Sequence, residues 1–165
     1  MRILITSGGS DLSQLIASSL SHKYDVTLTD HQHVSTPHRF VQCKLDNNET
    51  TRDLVNDIQT IVHLGHADTS NVPLDQLDVV TRCTYNLLCA AADKGVRRMV
   101  LLSSLSLFDK YDPTLTVTET WQPMPTTNMA VLCHHLGEYV CREFAREGRI
   151  QVVCLRLGEI TPPDA

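Results

Sequence analysis

NLLCAAADKGVRRMVLLSS, residues 86–104, holds a helix, its stop signal and a strand in one stretch. Leu77, Val80, Thr84, Leu87, Leu88 and Ala91 repeat at helical spacing, so the pattern predicts one long helix over 74–93 with that face inward. Gly95 stands where helices end on a left-handed residue, and the β-branched and aliphatic run 98–103 then reads as a strand. Outward in both directions the same alternation continues. Strands are predicted at 2–6, 25–29, 40–43, 60–64, 98–103 and 151–157. Helices fall at 12–20, with Leu12, Leu15, Ile16 and Leu20 on one face, at 50–57, capped by Asn48 or Thr50, and at 129–146. Residues 109–127 carry Pro113, Pro123 and Pro125 and read as a surface loop. Strands alternating with helices are the signature of stacked βαβ units and a parallel sheet.

Six such strands predict a three-layer α/β fold, a Rossmann-type doubly wound parallel sheet of order 3-2-1-4-5-6. Its ligand crevice is expected at the carboxyl ends of strands one and four. The 165 residues suit one domain, with 42% hydrophobic and 20% charged residues, as in ordinary soluble globular chains. A net charge of −5 supplies no basic face for nucleic acid or anionic membrane. No apolar run spans a bilayer, and residues 1–6 read as a strand and not as a signal peptide. The expected location is cytoplasmic. Cys43, Cys83, Cys89, Cys133, Cys141 and Cys154 form no CxxC pair and sit in apolar segments, so they read as buried free thiols.

Four segments in order resemble the extended short-chain dehydrogenase/reductase family, the NAD(P)-dependent sugar epimerases and dehydratases. MRILIT (1–6) is similar to the opening strand, and HLGH (63–66) to the HLAA turn after strand four. Residues 86–104 are similar to NLLEAA…GVKRFVYLSS, and RLGEITPP (156–163) to RLGNVYGP after strand six. The chain stops at Ala165, about where the family would continue into its substrate-binding lobe. The expectation is therefore one NAD(P)-binding domain, residues 1–165, without that lobe.

The resemblance implies a phosphate loop, TGxxGxxG, where this chain has Thr6-Ser7-Gly8-Gly9-Ser10-Asp11-Leu12-Ser13. Serine replaces all three motif glycines, at Ser7, Ser10 and Ser13. The first glycine needs backbone freedom, part of which adjacent Gly8 is expected to restore. The second admits the pyrophosphate, so Ser10 must either intrude or donate a hydrogen bond. The third allows close helix–strand packing, which serine tolerates. The Asp11 carboxylate competes with phosphate for the positive end of the helix dipole. Two readings stand: a Gly/Ser turn in which Ser10 or Asp11 caps the helix, and a weakened dinucleotide site.

Asp30 ends strand two at the spacing where an acid meets the adenosine ribose, which favours NAD over NADP; its other reading is a turn residue before His31. Cys43-Lys44-Leu45 stands where the family has Gly-Asp-Leu against adenine. Cofactor contacts are expected from Ser7, Gly8, Gly9, Ser10, Asp11, Leu12, Asp30, His31, Lys44, Leu45, Leu64, Gly65 and His66. His66 is read either as a phosphate or ribose contact or as a solvated turn residue.

The resemblance also implies a Tyr acid/base, a Lys four residues on that lowers its pKa, and a Ser or Thr that orients the substrate. Ser104 retains the Ser/Thr position. Aligned on His134-His135-Leu-Gly-Glu138, the Tyr position is Ala130 and the Lys position His134. The preceding helix has Val80 where relatives often keep Asn. No Tyr-x-x-x-Lys occurs anywhere, since Leu28, Cys89, Leu115 and Glu143 lie four residues beyond the four tyrosines. His134 is either a substitute acid/base or an ordinary helical histidine; Tyr111, in the loop after strand five, is a remoter candidate. His31, His33, His63 and His66 follow strands on opposite sides of strand one, so no metal site is expected.

Three functions remain open: an epimerase- or oxidoreductase-like protein that binds a dinucleotide weakly without the usual relay, a non-catalytic dinucleotide sensor or scaffold, and a truncated copy with no ligand. Cys83, Leu87, Val140 and Phe144, on the helices 74–93 and 129–146, are apolar enough for either core or a homodimer interface.

Overall fold

The computed structural model describes residues 1–65 and 73–158, with backbone alone at 73 and 74. Six parallel strands, β1 (Arg2–Ile5), β2 (Asp25–Asp30), β3 (Arg39–Gln42), β4 (Thr60–Leu64), β5 (Arg98–Ser104) and β6 (Gln151–Leu157), pair in the order β3-β2-β1-β4-β5-β6. The doubly wound sheet expected from the alternation is therefore the fold. Register follows from strand ends that must clear the crossovers: Ile3 lies beside Val26 on one side and Thr60 on the other.

Both faces of the central strands are apolar, as a sheet covered on two sides requires. On one face Ile3, Ile5, Val26, Leu28, Val62, Leu64 and Leu102 bury against Ala17 of α1 (Asp11–Leu20). On the other, Leu4, Ile61, Met99 and Leu101 meet Leu54 of α2 (Glu49–Leu54), Leu87, Leu88 and Ala91 of α4 (Thr84–Asp93), and Cys141 and Phe144 of α5 (Met129–Arg146). Each fully buried leucine here contributes roughly 2 kcal/mol of transfer free energy.

Several local expectations are corrected. Leu15 is not on the inner face of α1. It is 62% exposed, and the turn of the helix brings Ser13 and Ala17 inward instead. The helix predicted at 50–57 is shorter, and its cap is Asn48, whose side chain accepts the Thr51 N–H. The long helix predicted over 74–93 is continuous but not regular. α3 (Pro73–Asp78) passes into a π turn, Val79–Cys83, before α4. At its end the Thr84 N–H reaches back five residues to Val79 O, and the Thr84 hydroxyl donates to the same carbonyl at 3.0 Å. Beyond β5 a 3₁₀ turn, Leu105–Phe108, precedes the loop.

β6 is an edge strand that leaves Val153 and Leu155 half exposed, 46% and 45%. Cys83, Leu87 and Phe144 are core residues with Val140 packed beside them, and the outer faces of α4 and α5 show Tyr85 and Tyr139. All six cysteines are free; Cys89 and Cys154 are only partly buried. Among the described residues no helix is long and apolar enough to cross a membrane, and no three or more His, Cys, Asp or Glu side chains gather as an ion site.

Candidate dinucleotide crevice

A crevice of about 600 Å³, open to solvent, lies at the carboxyl ends of β1, β2, β3 and β4. Its walls include Ser7, Gly9 and Ser10 from the loop after β1, Asp30 and His31 after β2, Lys44 and Leu45 after β3, and Leu64 of β4. Sequence reading named these. It missed Thr6, Thr29, Cys43, His63, Val79 and Cys83, which complete the lining. The first four are strand-end residues and could have been inferred from the switch point. The last two lie at the ends of the π turn, which no sequence pattern marked.

The loop after β1 is held by its own serines. Ser7 takes the left-handed conformation, φ 52°, and its hydroxyl donates to Leu64 O at 2.9 Å. The expectation that Gly8 restores this freedom is thereby corrected. Gly8 has no positive φ, and its role is space. A Cβ there would lie 3.2 Å from Leu28 Cβ and 3.3 Å from Thr29 O. The Gly8 N–H also donates to Thr29 O at 2.9 Å, which draws the loop against β2.

Ser10 is the N-cap of α1. Its hydroxyl oxygen accepts the Ser13 N–H at 3.2 Å and donates to Ser13 Oγ, which in turn donates to Thr6 O at 2.9 Å. Of the two caps considered, Ser10 is the one used; Asp11 occupies the first helical position, exposed. The backbone N–H groups of Asp11 and Leu12 have no acceptor among the described residues. Two free donors at the positive end of a ten-residue helix are suited to an anion.

The Asp30 carboxylate is fixed from two sides. Oδ2 accepts the Gly9 N–H at 3.0 Å, while Oδ1 accepts the Gln32 N–H at 3.3 Å and lies 2.8 Å from His31 Nδ1. Lys44 is exposed at the rim, Leu45 adopts φ 55°, and the Asn86 amide donates to Leu45 O at 3.0 Å. His63 forms the floor. With the Thr84 hydroxyl spent on Val79 O, His63 Nε2 donates to Thr84 Oγ1 at 2.9 Å and Nδ1 accepts from Thr6 Oγ1 at 2.8 Å. This buried chain ties β1 to β4 and to the π turn. Burial pushes the Cys83 thiol up to about 11, against the nearby Arg82 charge, so it is no thiolate nucleophile.

The donor set fits the phosphate and ribose portion of a dinucleotide: two free helix N–H groups, a fixed carboxylate and an apolar wall. The reaction positions fit less well. Ser104, partly buried at the end of β5, accepts the Ser106 N–H at 3.1 Å and caps the 3₁₀ turn. Ala130 is exposed in the first turn of α5, which Asn128 caps, and His134 is partly buried one turn further on. Tyr111 is engaged elsewhere, donating to Gln122 O at 2.9 Å and meeting Trp121 edge-on at 4.7 Å. His66 and the segment 159–163 lie outside the described residues, and Gly65 follows β4, where an added Cβ would lie 3.5 Å from Leu101 Cδ1 and 3.8 Å from His63 Nε2.

The sheet between α5 and β6 is locked by a second device unseen in the sequence. The Arg156 guanidinium donates both its Nε and Nη2 to the Glu138 carboxylate, at 2.9 and 2.8 Å, and lies 4.9 Å over the Phe108 ring. Burial pushes the Glu138 carboxyl up, but the Arg156 fork outweighs it and holds it below its ordinary value.

The family model described as NAD dependent epimerase/dehydratase family matches residues 3–164. A short-chain dehydrogenase/reductase superfamily protein from Agrobacterium tumefaciens, solved with bound NAD, is 28% identical. Its TM-score is 0.81 over 94% of this chain and 48% of that one. A mutated uronate dehydrogenase is 26% identical, with TM-score 0.81 over 96% of this chain and 58% of that one. Among curated proteins, the uncharacterized protein YtbQ of Bacillus subtilis (strain 168) is 24% identical over 172 residues, covering 96% of this chain and 68% of its own length. The chain thus spans about half the length of the solved structures it matches.

Proposed function

This chain belongs to the NAD-dependent epimerase/dehydratase family, and on that premise we propose that its crevice holds the phosphate and adenosine-ribose portion of NAD weakly while the usual Tyr/Lys proton relay is missing. The observation that carries the reading is the pair of free N–H groups, Asp11 and Leu12, at the end of α1 beside the fixed Asp30 carboxylate. These donors point α1's positive end at a phosphate, and Asp30 offers acceptors to ribose hydroxyls. The NAD bound in the similar Agrobacterium structure supports the assignment. When bound, the nicotinamide would accept or supply a hydride.

Around it, this chain's residues can orient but not relay. Ala130 has no proton to move, and Ser104 already spends an acceptor on its own cap. The resulting activity is dinucleotide binding in a non-catalytic, sensor-like protein. A homodimer through α4 and α5 would then rest on the exposed Tyr85 and Tyr139. A second reading, a fold with no ligand, is favoured by the self-satisfied serines: Ser10 and Ser13 complete their bonds without any phosphate.

Calorimetric titration of the purified chain with NAD, NADH, NADP and NADPH separates the two. The proposal expects dissociation constants on the order of 0.1–1 mM for NAD, and no turnover in either the native chain or Ser104→Ala. Absence of heat and of any thermal shift at millimolar cofactor overturns it in favour of the second reading.

A further inference from the structure

We propose that the cleft between α5 and β6 is a second ligand site, taking a small metabolite that carries an oxyanion, carboxylate or phosphate, together with a hydroxyl group. The cleft measures about 610 Å³, is open to solvent beside the edge strand, and shares no residue with the dinucleotide crevice. It therefore stands whether or not the crevice holds NAD.

Helical spacing builds one wall. His135, Glu138, Tyr139 and Arg142 stand at i, i+3, i+4 and i+7 of α5 and so share a face. Strand alternation builds the floor, where Cys154 and Arg156 point to the same side of β6. Pro123 closes a third side and is held there by its neighbours. The Tyr111 hydroxyl donates to Gln122 O at 2.9 Å, and the Met124 N–H donates to Leu107 O at 2.9 Å.

Locking α5 to β6 accounts for only part of this set. Arg156 and Glu138 complete that lock with each other, so together they add no net charge to the cleft. Arg142 does add one. Its guanidinium turns back along the helix, 5.0 Å over the Tyr139 ring, and has no hydrogen-bonded acceptor among the described residues. The Glu143 carboxylate, 3.9 Å from it, is already held by Arg146 at 2.7 Å. The floor stays neutral, because burial pushes the Cys154 thiol up to about 11. Two guanidiniums thus face one carboxylate, and a guanidinium with unused N–H groups recognises the paired oxygens of a carboxylate or phosphate.

His135 is an independent indication. Its Nδ1 is buried with no hydrogen-bond partner among the described residues. A buried polar atom left unpaired is destabilising, and a bound group that supplies the missing bond removes that cost. A hydroxyl suits either tautomer, since it donates to the bare nitrogen or accepts from the N–H.

The test is an amide NMR titration of the full chain with lactate, with glycerol 3-phosphate, and with sodium chloride at matched ionic strength. Native chain, Arg142→Gln and His135→Phe are compared. At least one of the two organic anions is expected to bind with a dissociation constant on the order of 1 mM, shifting amides in 135–142 and 152–156; the tighter of the two tells carboxylate from phosphate. Arg142→Gln, a change at an exposed side chain, should weaken that binding at least about fivefold, and His135→Phe about threefold. Shifts no larger than those with sodium chloride overturn the proposal. So do shifts confined to residues 8–13, which would put the anion in the crevice, and so does an unchanged affinity in Arg142→Gln. An unchanged affinity in His135→Phe alone overturns the hydroxyl contact.

Discussion

The Asp30 carboxylate accepts the Gly9 N–H at 3.0 Å, so the end of β2 and the loop after β1 are one mechanical unit. The residue expected to read a ribose is also the residue that fixes the loop expected to hold a phosphate. Binding and local stability are therefore coupled through one side chain.

Asp30→Ala should lose both. The Gly9 N–H is left without its partner, at a cost of about 1–2 kcal/mol in urea unfolding. NAD affinity should fall at least roughly tenfold. An unchanged affinity would detach Asp30 from the ribose.

Ser10→Gly should separate capping from access. Glycine is an acceptable N-cap, so stability should fall by only about 0.3 kcal/mol, whereas Ser10→Ala should cost about 1 kcal/mol. Removing the Cβ also opens the approach to the Asp11 and Leu12 N–H groups. NAD binding is expected to tighten roughly fivefold. Calorimetry on both variants checks this, and equal affinities would place the phosphate elsewhere.

Gly8→Ala tests close packing of loop against strand. The new methyl would sit 3.2 Å from Leu28 Cβ and 3.3 Å from a backbone oxygen, neither of which can rotate away. The expected loss is about 1–3 kcal/mol by denaturant unfolding, from overpacking alone.

The Glu138–Arg156 pair should appear in the pH dependence of stability. Burial raises the Glu138 carboxyl, but the Arg156 fork lowers it by more, so its folded value lies below the ordinary 4.5. The stabilisation is thus complete above that value and is lost as pH falls through the lower folded one. Arg156→Met, which strands a carboxylate that is 8% exposed, should cost about 3 kcal/mol at neutral pH and less as acid protonates Glu138. A pH-independent cost would show that the pair is not the cause.

Strand order and helix placement were legible because they depend on local signals. In the run 98–104 the buried positions Met99, Leu101 and Leu102 are apolar, as a doubly covered strand requires, with Ser103 the buried polar exception, and Gly95 ends the preceding helix at φ 73°. Leu15 was misplaced because a single helix face is about 100° wide, and its neighbour Ala17 wins the inward position only once the sheet is present. The π turn was invisible for a similar reason. Val79–Cys83 reads as ordinary helix, and the Thr84–His63–Thr6 chain that ties it to the strands exists only once the sheet is packed against it.

The sequence by itself determined that serines stand at positions 7, 10 and 13 in and just after the loop that follows β1 and that no Tyr-x-x-x-Lys pair exists, because these are facts of residue identity and spacing. Tertiary structure decided what the serines do. Ser7 bends left-handed onto the Leu64 carbonyl, Ser10 caps α1, and Ser13 reaches back to Thr6. Each of these bonds joins the loop to a different element or to the helix end, and a hydroxyl's partner is fixed only when the sheet brings that acceptor within reach.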